Sequence, residues 1–289
     1  MRIVLALLIV FGPNSFCQTV NLSYDHSGRM NKASYSNQKV LAYIYDNDGN
    51  RSSQQNYIVS SIQITVGIQG DMLPSGDMRA YLQNYYGFNL GLLPTTDPYG
   101  LNQSYSQINN PTGPAGTVVD WVKVTIRSAS SPSTIYQSRA LLLKPFGNVV
   151  DTNGNTPIFN PQNTSIRISI VHRNHLAILS NPITSFSTNG FASYDFTTSL
   201  SQASNDFSDP PQMVKVGSKW CMWVGDVNST QDLFIDNVDE LRGLNAFLTS
   251  PFDMYLNDDL TMDGYIDNTD YFLQHHNFLL GLYSTLINY

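Results

Sequence analysis

The sequence predicts a mainly β fold: an antiparallel β-sandwich with an N-terminal β-hairpin repeat and a small C-terminal pair of loop–helix units. Aromatic residues make up 12% of the chain and charged residues only 13%, a composition typical of strand-rich exported proteins. Short runs of alternating apolar and polar residues are separated by turn clusters, with no amphipathic helices alternating with them. Near the C-terminus, an acidic loop followed by an apolar helical pattern occurs twice.

Residues 1–17 have the pattern of a signal peptide. A basic start is followed by a nine-residue apolar run, residues 3–11, which is too short to span a bilayer. Small residues at the two recognition positions predict cleavage before Gln18. A lipid anchor at Cys17 is the alternative, but Phe16 does not fit that motif. We therefore expect an exported chain, secreted or attached to the cell surface, with the periplasm as a less favoured location.

Residues 18–56 contain the pattern Tyr-Asp-x-x-Gly twice, starting at Tyr24 and at Tyr45, 21 residues later. Each copy predicts a strand that ends in Tyr, a turn built on Asp and Gly, and a returning strand that begins at Arg. The pair resembles the YD repeats of RHS proteins, which coil into long β-shells. Two copies are fewer than the roughly three that a stacked repeat needs for its own core. The pair is therefore expected to be a remnant, or a hairpin appended to the following domain.

Residues 57–201 are predicted to form the β-sandwich, without a catalytic centre. Apolar residues alternate from Ile62 to Ile68, and further strand candidates lie at 118–126, 139–143, 165–172 and 191–196. Turn clusters at 110–116 and 151–155 separate them. The acidic, Pro-containing stretch 202–211 is the predicted linker, and 212–289 the predicted C-terminal repeats.

The stretch Asp259–Asp270 combines residue types and spacing that specify metal chemistry. Hard cations take six to eight oxygen ligands, which a twelve-residue loop supplies from positions 1, 3, 5, 7, 9 and 12, with glycine at position 6. Gly264 stands at that turn, and Ile266 anchors the loop inward. The predicted ligands are Asp259, Thr261, Asp263, the Tyr265 carbonyl, Asp267 and Asp270. Because Thr261 carries no charge, we expect calcium affinity in the weak extracellular range, about 10⁻⁴ to 10⁻³ M.

An earlier copy of this loop precedes it. Phe-Ile-Asp-Asn-Val-Asp from Phe234 matches Tyr-Ile-Asp-Asn-Thr-Asp from Tyr265, 31 residues later. This copy is two residues longer and has Gln231 and Asp232 where Asp-Gly is expected. Its predicted ligands are Asp226, Asn228, Asp232, Asp236 and Asp239. The alternative for both copies is a pair of acidic turns that cap helices.

These residues carry two resemblances. The paired loops resemble dockerin-type domains, which are calcium loop–helix repeats that end each loop in Asp. From about residue 62 to the end, the chain also resembles a family of exported Bacteroidetes proteins that carry paired dockerin-like repeats. That resemblance implies no catalytic residues. Its matching stretches lie at 91–99, 119–122, 140–151, 172–176 and 222–226.

Several classes of site are not favoured by the sequence. Two His at i and i+3 of one strand, His172 and His175, point to opposite faces, so zinc is not expected there. Asp120 and His172 could join a serine in a triad, but no Gly-x-Ser-x-Gly motif exists. A net charge of −7 without a Lys/Arg cluster argues against nucleic acid. Without the signal peptide only Cys221 is left, so no intrachain disulfide is expected, and no second apolar run is long enough for a membrane helix.

The favoured function is therefore not enzymatic. The sequence predicts an exported surface or extracellular structural and interaction protein whose C-terminus is stabilised by Ca²⁺, with an extracellular protein or glycan as partner. A glycan-binding β-sandwich is the alternative, because exposed aromatics among the 17 Tyr and 14 Phe could stack on sugars. A glycoside hydrolase comes third, since its pair of carboxylates cannot be identified from sequence.

Overall fold

A computed structural model describes residues 3–6, 19–35, 39–58, 60–84, 90–160, 165–184, 186, 190–205, 210–228, 231–252 and 254–288. Cys17 and Gln18, where cleavage or lipid attachment is predicted, lie outside the described residues. The prediction of a mainly β fold with antiparallel sheets is confirmed. The described ranges contain no helix that is both long enough and apolar enough to cross a membrane.

The N-terminal sheet consists of consecutive antiparallel strands β1 to β5, in the order of the sequence. They are Ile3–Ala6, Thr19–Tyr24, Met30–Tyr35, Lys39–Tyr45 and Arg51–Ile58. As expected, β2 and β4 end at Tyr24 and Tyr45. The carboxylates of Asp25 and Asp46 accept N–H groups two and four residues further on, and Gly28 and Gly49 follow at φ 75° and 88°. Only glycine adopts such angles without strain, which explains the Asp-x-x-Gly spacing.

The main sheet has eight strands, β6 to β13: Ser60–Thr65, Asp120–Ser128, Ile135–Leu143, Asn148–Val150, Ile158–Phe159, Ile166–His172, His175–Leu179 and Phe191–Asp195. Their order is β10-β6-β9-β8-β7-β11-β12, with β13 beside β6. The β6–β13 pair is parallel, and the other pairs are antiparallel. The sequence did not predict this parallel pair.

A C-terminal segment links the edge strand β12 to the chain just after β6. Strands β14 (Met213–Val216) and β15 (Lys219–Met222) form a hairpin. Met222, the last residue of β15, exchanges main-chain hydrogen bonds with Gly67 and Gln69, just after β6, at 2.9 and 3.1 Å. The N–H of Leu176, in β12, donates to the Trp223 carbonyl at 2.8 Å. The main-chain hydrogen bonds therefore continue from β12 through this segment to the end of β6.

The core lies within this arrangement and includes residues from both sides of the predicted linker. Trp121 is fully buried, and its Nε1 donates to the Pro94 carbonyl at 2.8 Å. Met213, the free Cys221 and Met262 belong to the same buried cluster. The residues assigned to the C-terminal repeats thus share a hydrophobic core with those assigned to the sandwich.

Two α-helices follow the two acidic loops: α1 spans Asn237–Thr249 and α2 spans Asn268–Leu279. Both begin with the same capping arrangement, in which an N-cap aspartate and an aspartate three residues later bond each other's main chain. The helix expected after the second loop is confirmed, and α1 repeats it after the first.

Candidate metal centre

The two acidic loops begin their helices with matching hydrogen bonds. Asp236 Oδ1 accepts from Val238 N at 2.7 Å, and Asp267 Oδ1 accepts from Thr269 N at 2.6 Å. In the reverse direction, Asp239 Oδ2 accepts from the Asp236 N–H, and Asp270 Oδ2 from the Asp267 N–H. Both helix N-termini are therefore satisfied by acids that the sequence also predicts as metal ligands.

The last aspartate of each loop also holds the start of that loop. Asp239 Oδ1 accepts the N–H groups of Val227 and Asn228 at 2.8 and 2.9 Å. Asp270 Oδ1 accepts those of Leu260 and Thr261, also at 2.8 and 2.9 Å. Each loop is thus folded back on itself by its position-12 carboxylate.

The hydrogen bonds and main-chain angles in the middle of the two loops also match. They show that the predicted alignment of the first copy is wrong. Asp226 Oδ2 accepts from Leu233 N at 3.3 Å, as Asp259 Oδ2 accepts from Gly264 N at 2.9 Å. Leu233 has φ 74° and Gly264 φ 87°, so Leu233 occupies the glycine position. Asp232 is therefore the counterpart of Asp263, not of the glycine. The two additional residues fall at 229–230, outside the described residues.

Each loop forms a main-chain hydrogen bond with the segment that follows the helix of the other unit. Ile235 N donates to the Leu282 carbonyl at 2.9 Å, and Ile266 N donates to the Pro251 carbonyl at 3.2 Å. Both isoleucines are buried, as expected of the inward apolar position of such a loop. The two loop–helix units are therefore structural repeats that support each other.

The first loop brings three carboxylates together. Ligand oxygens of Asp226, Asp232 and Asp239 all lie within 4.8 Å of one another, and among the described residues this is the group of acids, His or Cys close enough to hold a metal. Asp226 is fully buried, and its Oδ1 has no hydrogen-bond partner. Burial, followed by the charges of Asp239 and Asp232, raises the pKa of Asp226 to about 8. These oxygens are the donor type that a hard cation requires.

The second loop, which fits the sequence pattern better, holds its acids further apart. Burial raises the pKa of Asp259 to about 7, although the Arg173 charge opposes the shift. Burial also raises the pKa values of Asp263 and Asp270. Thr261 is buried, and its hydroxyl donates to Asp270 Oδ1 at 3.1 Å. Tyr265 is partly exposed, and its N–H donates to Asp263 Oδ1 at 3.0 Å.

A buried polar turn connects both loops to the sheet. Its four residues, His172, Arg173, Asn174 and His175, are 0–3% exposed. Asn174 Nδ2 donates to the carbonyls of Asn257 and Asp259, both at 3.0 Å. From the first loop, Gln231 Nε2 donates to the His172 carbonyl. This turn, which sequence reasoning missed, therefore contacts both candidate metal loops.

The expectation that His172 and His175 face opposite sides is wrong. Arg173 and Asn174 form the turn between β11 and β12, so the two histidines pair across the hairpin, with their Nδ1 atoms 2.8 Å apart. The alternation rule applies only within one strand. The Arg-Asn pair between two apolar strands was the signal that could have revealed the turn.

Asp120 and His172 are in contact, but without the third member of a triad. His172 Nε2 lies 3.2 Å from Asp120 Oδ2, while its Nδ1 faces Asn174 and His175 rather than a serine. Burial disfavours the Asp120 charge, yet Arg173 and His172 hold its pKa well below the usual range. Asp120 also accepts from the Tyr255 hydroxyl at 2.7 Å. This buried acid therefore belongs to an ion-paired network with Arg173, His172 and Tyr255.

No protein-family model matches the chain, and no curated protein matches it.

Proposed function

We propose that the chain is a non-enzymatic exported protein in which two loop–helix repeats bind Ca²⁺ and thereby stabilise the attachment of the C-terminus to the β fold. Export supports calcium as the ion, because extracellular fluids supply it at concentrations that weak sites require. An extracellular structural or interaction role follows from this proposal, with a protein or glycan as partner.

The observation that carries the proposal is the buried Asp226 carboxylate within the acidic group of the first loop. An isolated buried charge is costly, and a carboxyl in that position either keeps its proton or acquires a cation. Asp226 has an Oδ1 without a partner and two further carboxylates within 4.8 Å. A divalent cation satisfies all three acids at once.

The matching hydrogen bonds extend the proposal to the second loop. A pair of acidic helix caps, the alternative, accounts for Asp236, Asp239, Asp267 and Asp270. It does not account for the buried acids at position 1, Asp226 and Asp259, which cap no helix. Oxygen-only donors favour Ca²⁺ or Mg²⁺ over zinc, and a flexible loop that combines carboxylate and main-chain oxygens suits Ca²⁺ better.

Thermal unfolding with and without calcium tests this proposal. A ligand that binds only the folded state stabilises it by about 2.7 kcal/mol at a hundredfold excess over Kd. Calcium at millimolar concentration should therefore raise the melting temperature, and a chelator should reverse the increase. Magnesium should act more weakly. Unchanged melting in calcium would refute the proposal.

Two variants and one control locate the effect. Asp226→Asn and Asp259→Asn should each reduce the calcium-dependent increase, because each removes one buried charge from one loop. Asp151→Asn makes the same chemical change in the turn after β9, where Asp151 accepts two main-chain N–H groups. This control should keep the full calcium response.

Glycan binding is the second candidate, and one observation favours it. Phe252 and Tyr265 are neighbours on a short antiparallel bridge and are 63% and 44% exposed. Exposed aromatic faces can stack on sugar rings. Glycan binding would be supported if insoluble polysaccharides retain the protein but not Phe252→Ala. It would be ruled out if no polysaccharide retains the protein.

A further inference from the structure

The buried turn between β11 and β12 has a hydrogen-bonding arrangement that fixes where its protons lie. Asn174 Nδ2 donates to two main-chain carbonyls, those of Asn257 and Asp259. Because carbonyl oxygens only accept, the orientation of this amide is determined. Its Oδ1 therefore faces the two histidine rings, at 2.9 Å from His172 Nδ1 and 2.7 Å from His175 Nδ1.

The outer nitrogens of both rings must carry hydrogens. His175 Nε2 lies 3.0 Å from the carbonyl oxygen of Gln69, which can only accept. His172 Nε2 lies 3.2 Å from Asp120 Oδ2, and Arg173 holds that carboxylate in its charged, accepting form at 2.8 Å. A neutral imidazole carries one N–H, so two neutral rings would both present lone pairs at Nδ1.

Three acceptors would then converge in a site that excludes water. The two Nδ1 atoms are 2.8 Å apart, and Asn174 Oδ1 is within 2.9 Å of each. Lone pairs at this distance repel each other, and all three residues are fully buried. One additional proton on an Nδ1 atom converts two of these three contacts into hydrogen bonds.

We propose that His172 carries both ring protons in the folded protein and shares its Nδ1–H between His175 Nδ1 and Asn174 Oδ1, so that a buried imidazolium fixes the turn that holds both loops. The charge belongs on His172 because this ring contacts the Asp120 carboxylate, whereas His175 faces a neutral carbonyl. Burial and the neighbouring His172 lower the pKa of His175 well below its usual value, which agrees with a neutral acceptor.

Several charged and titratable groups surround His172 and His175 and set the net charge of this buried site. Asp120 from β7 contributes a negative charge, and Arg173 of the turn a positive one. Tyr255 donates its hydroxyl to Asp120, and the Tyr99 hydroxyl donates to the Trp121 carbonyl at 2.9 Å. Beyond this shell, the charge of Asp259 also acts on Arg173. The inference concerns a proton and does not depend on cation binding in the loops.

A metal between the rings is the competing occupant, and the distances disfavour it. Zinc–nitrogen bonds of 2.0–2.1 Å in a tetrahedral site place two ligand nitrogens about 3.3 Å apart. The observed 2.8 Å is the length of an N–H···N hydrogen bond. Loss of the proton should instead force Asn174 to turn away, at the expense of its bonds to the second loop.

NMR of the full chain with ¹⁵N-labelled histidine tests the inference. At pH 7 we expect one ring with two protonated nitrogens, a slowly exchanging Nδ1–H, and a scalar coupling from that nitrogen to Nδ1 of a second, neutral ring. His172→Gln should remove this signature, while the exposed His276→Gln should leave it. If His172→Gln does not fold, the coupling in the unmodified chain still decides.

Two results would overturn the inference. The first is a spectrum in which both buried rings are neutral with their hydrogens on Nε2. The second is a stoichiometric transition metal in the purified protein, with loss of the coupling.

Discussion

Two single residues of the first loop have properties that are energetically unfavourable: a buried carboxyl group and a left-handed main-chain angle at a leucine. Asp226 is a fully buried acid, and Leu233 adopts φ 74° at a position where the second loop has glycine. Leu233 packs partly against Ala177 and Leu286, which explains why a side chain is kept there despite the strain. Neither property could be read from the sequence, since burial and main-chain angle depend on the surrounding structure.

The first prediction concerns pH dependence in the absence of calcium. The pKa values of Asp226 and Asp259 are raised by burial to about 8 and about 7, against about 4 in an unfolded chain. The folded state therefore holds protons that the unfolded state releases. The stability that these two protonated carboxyls contribute should be fully present below about pH 4 and should be lost as pH rises to about 8. Urea unfolding between pH 5 and pH 9, with a chelator present to remove calcium, measures how the free energy of unfolding changes with pH.

Saturating calcium should flatten that dependence, because the cation stabilises the ionised carboxylates. Calcium binding should also release protons near pH 7, so affinity should increase with pH. Asp226→Asn should weaken the pH dependence, and Asp151→Asn should not. If the free energy of unfolding of the calcium-free protein rises from pH 5 to pH 8, the buried acids do not behave as described.

At the scale of elements, the two loops are more alike than their sequences. The second loop was recognised from its spacing, and its predicted helix follows it. The first loop was also recognised, but its alignment at Asp232 was wrong, although the 31-residue offset between Phe234 and Tyr265 already pairs Asp232 with Asp263. A glycine-based pattern cannot find a glycine position that is filled by leucine. The strand boundaries at Tyr24 and Tyr45 were predictable because their turn chemistry is local.

The corrected alignment gives the second prediction. Asp232→Asn should reduce calcium binding at the first loop about as strongly as Asp263→Asn does at the second, because both residues occupy position 5. Isothermal titration calorimetry measures how many calcium ions each variant binds, and each should have lost one calcium site. Unchanged binding in Asp232→Asn would show that the acidic group of the first loop does not hold the ion.

At the scale of the whole molecule, long-range contacts decide what the sequence could not. The parallel β6–β13 pair joins residues about 130 positions apart, and Met222 meets Gly67 over an even longer separation. No local pattern specifies such pairs. For the same reason the polar turn at Arg173 and Asn174, which contacts residues 256–259, could not be identified as a link between sheet and loops.

The third prediction tests this packing of the C-terminal loops on the β fold. Gly70 has φ 84°, and a Cβ there would lie 2.2 Å from the Leu260 carbonyl oxygen of the second loop. Gly100 has φ 69° but open space around it. Both Gly→Ala changes carry main-chain strain of about 1–2 kcal/mol. Gly70→Ala should cost about 1–3 kcal/mol more, from the clash.

Equilibrium unfolding of the two alanine variants measures the difference. Equal losses of stability in Gly70→Ala and Gly100→Ala would show that the second loop is not packed against residue 70 in solution.

A crystal structure determined with calcium should contain an ion in the first loop, about 2.3–2.6 Å from carboxylate oxygens of Asp226, Asp232 and Asp239. A second ion should lie at the corresponding acids of the second loop. Loops that keep only their main-chain hydrogen bonds in saturating calcium, with no ion at Asp226 or Asp259, would contradict the proposed calcium binding.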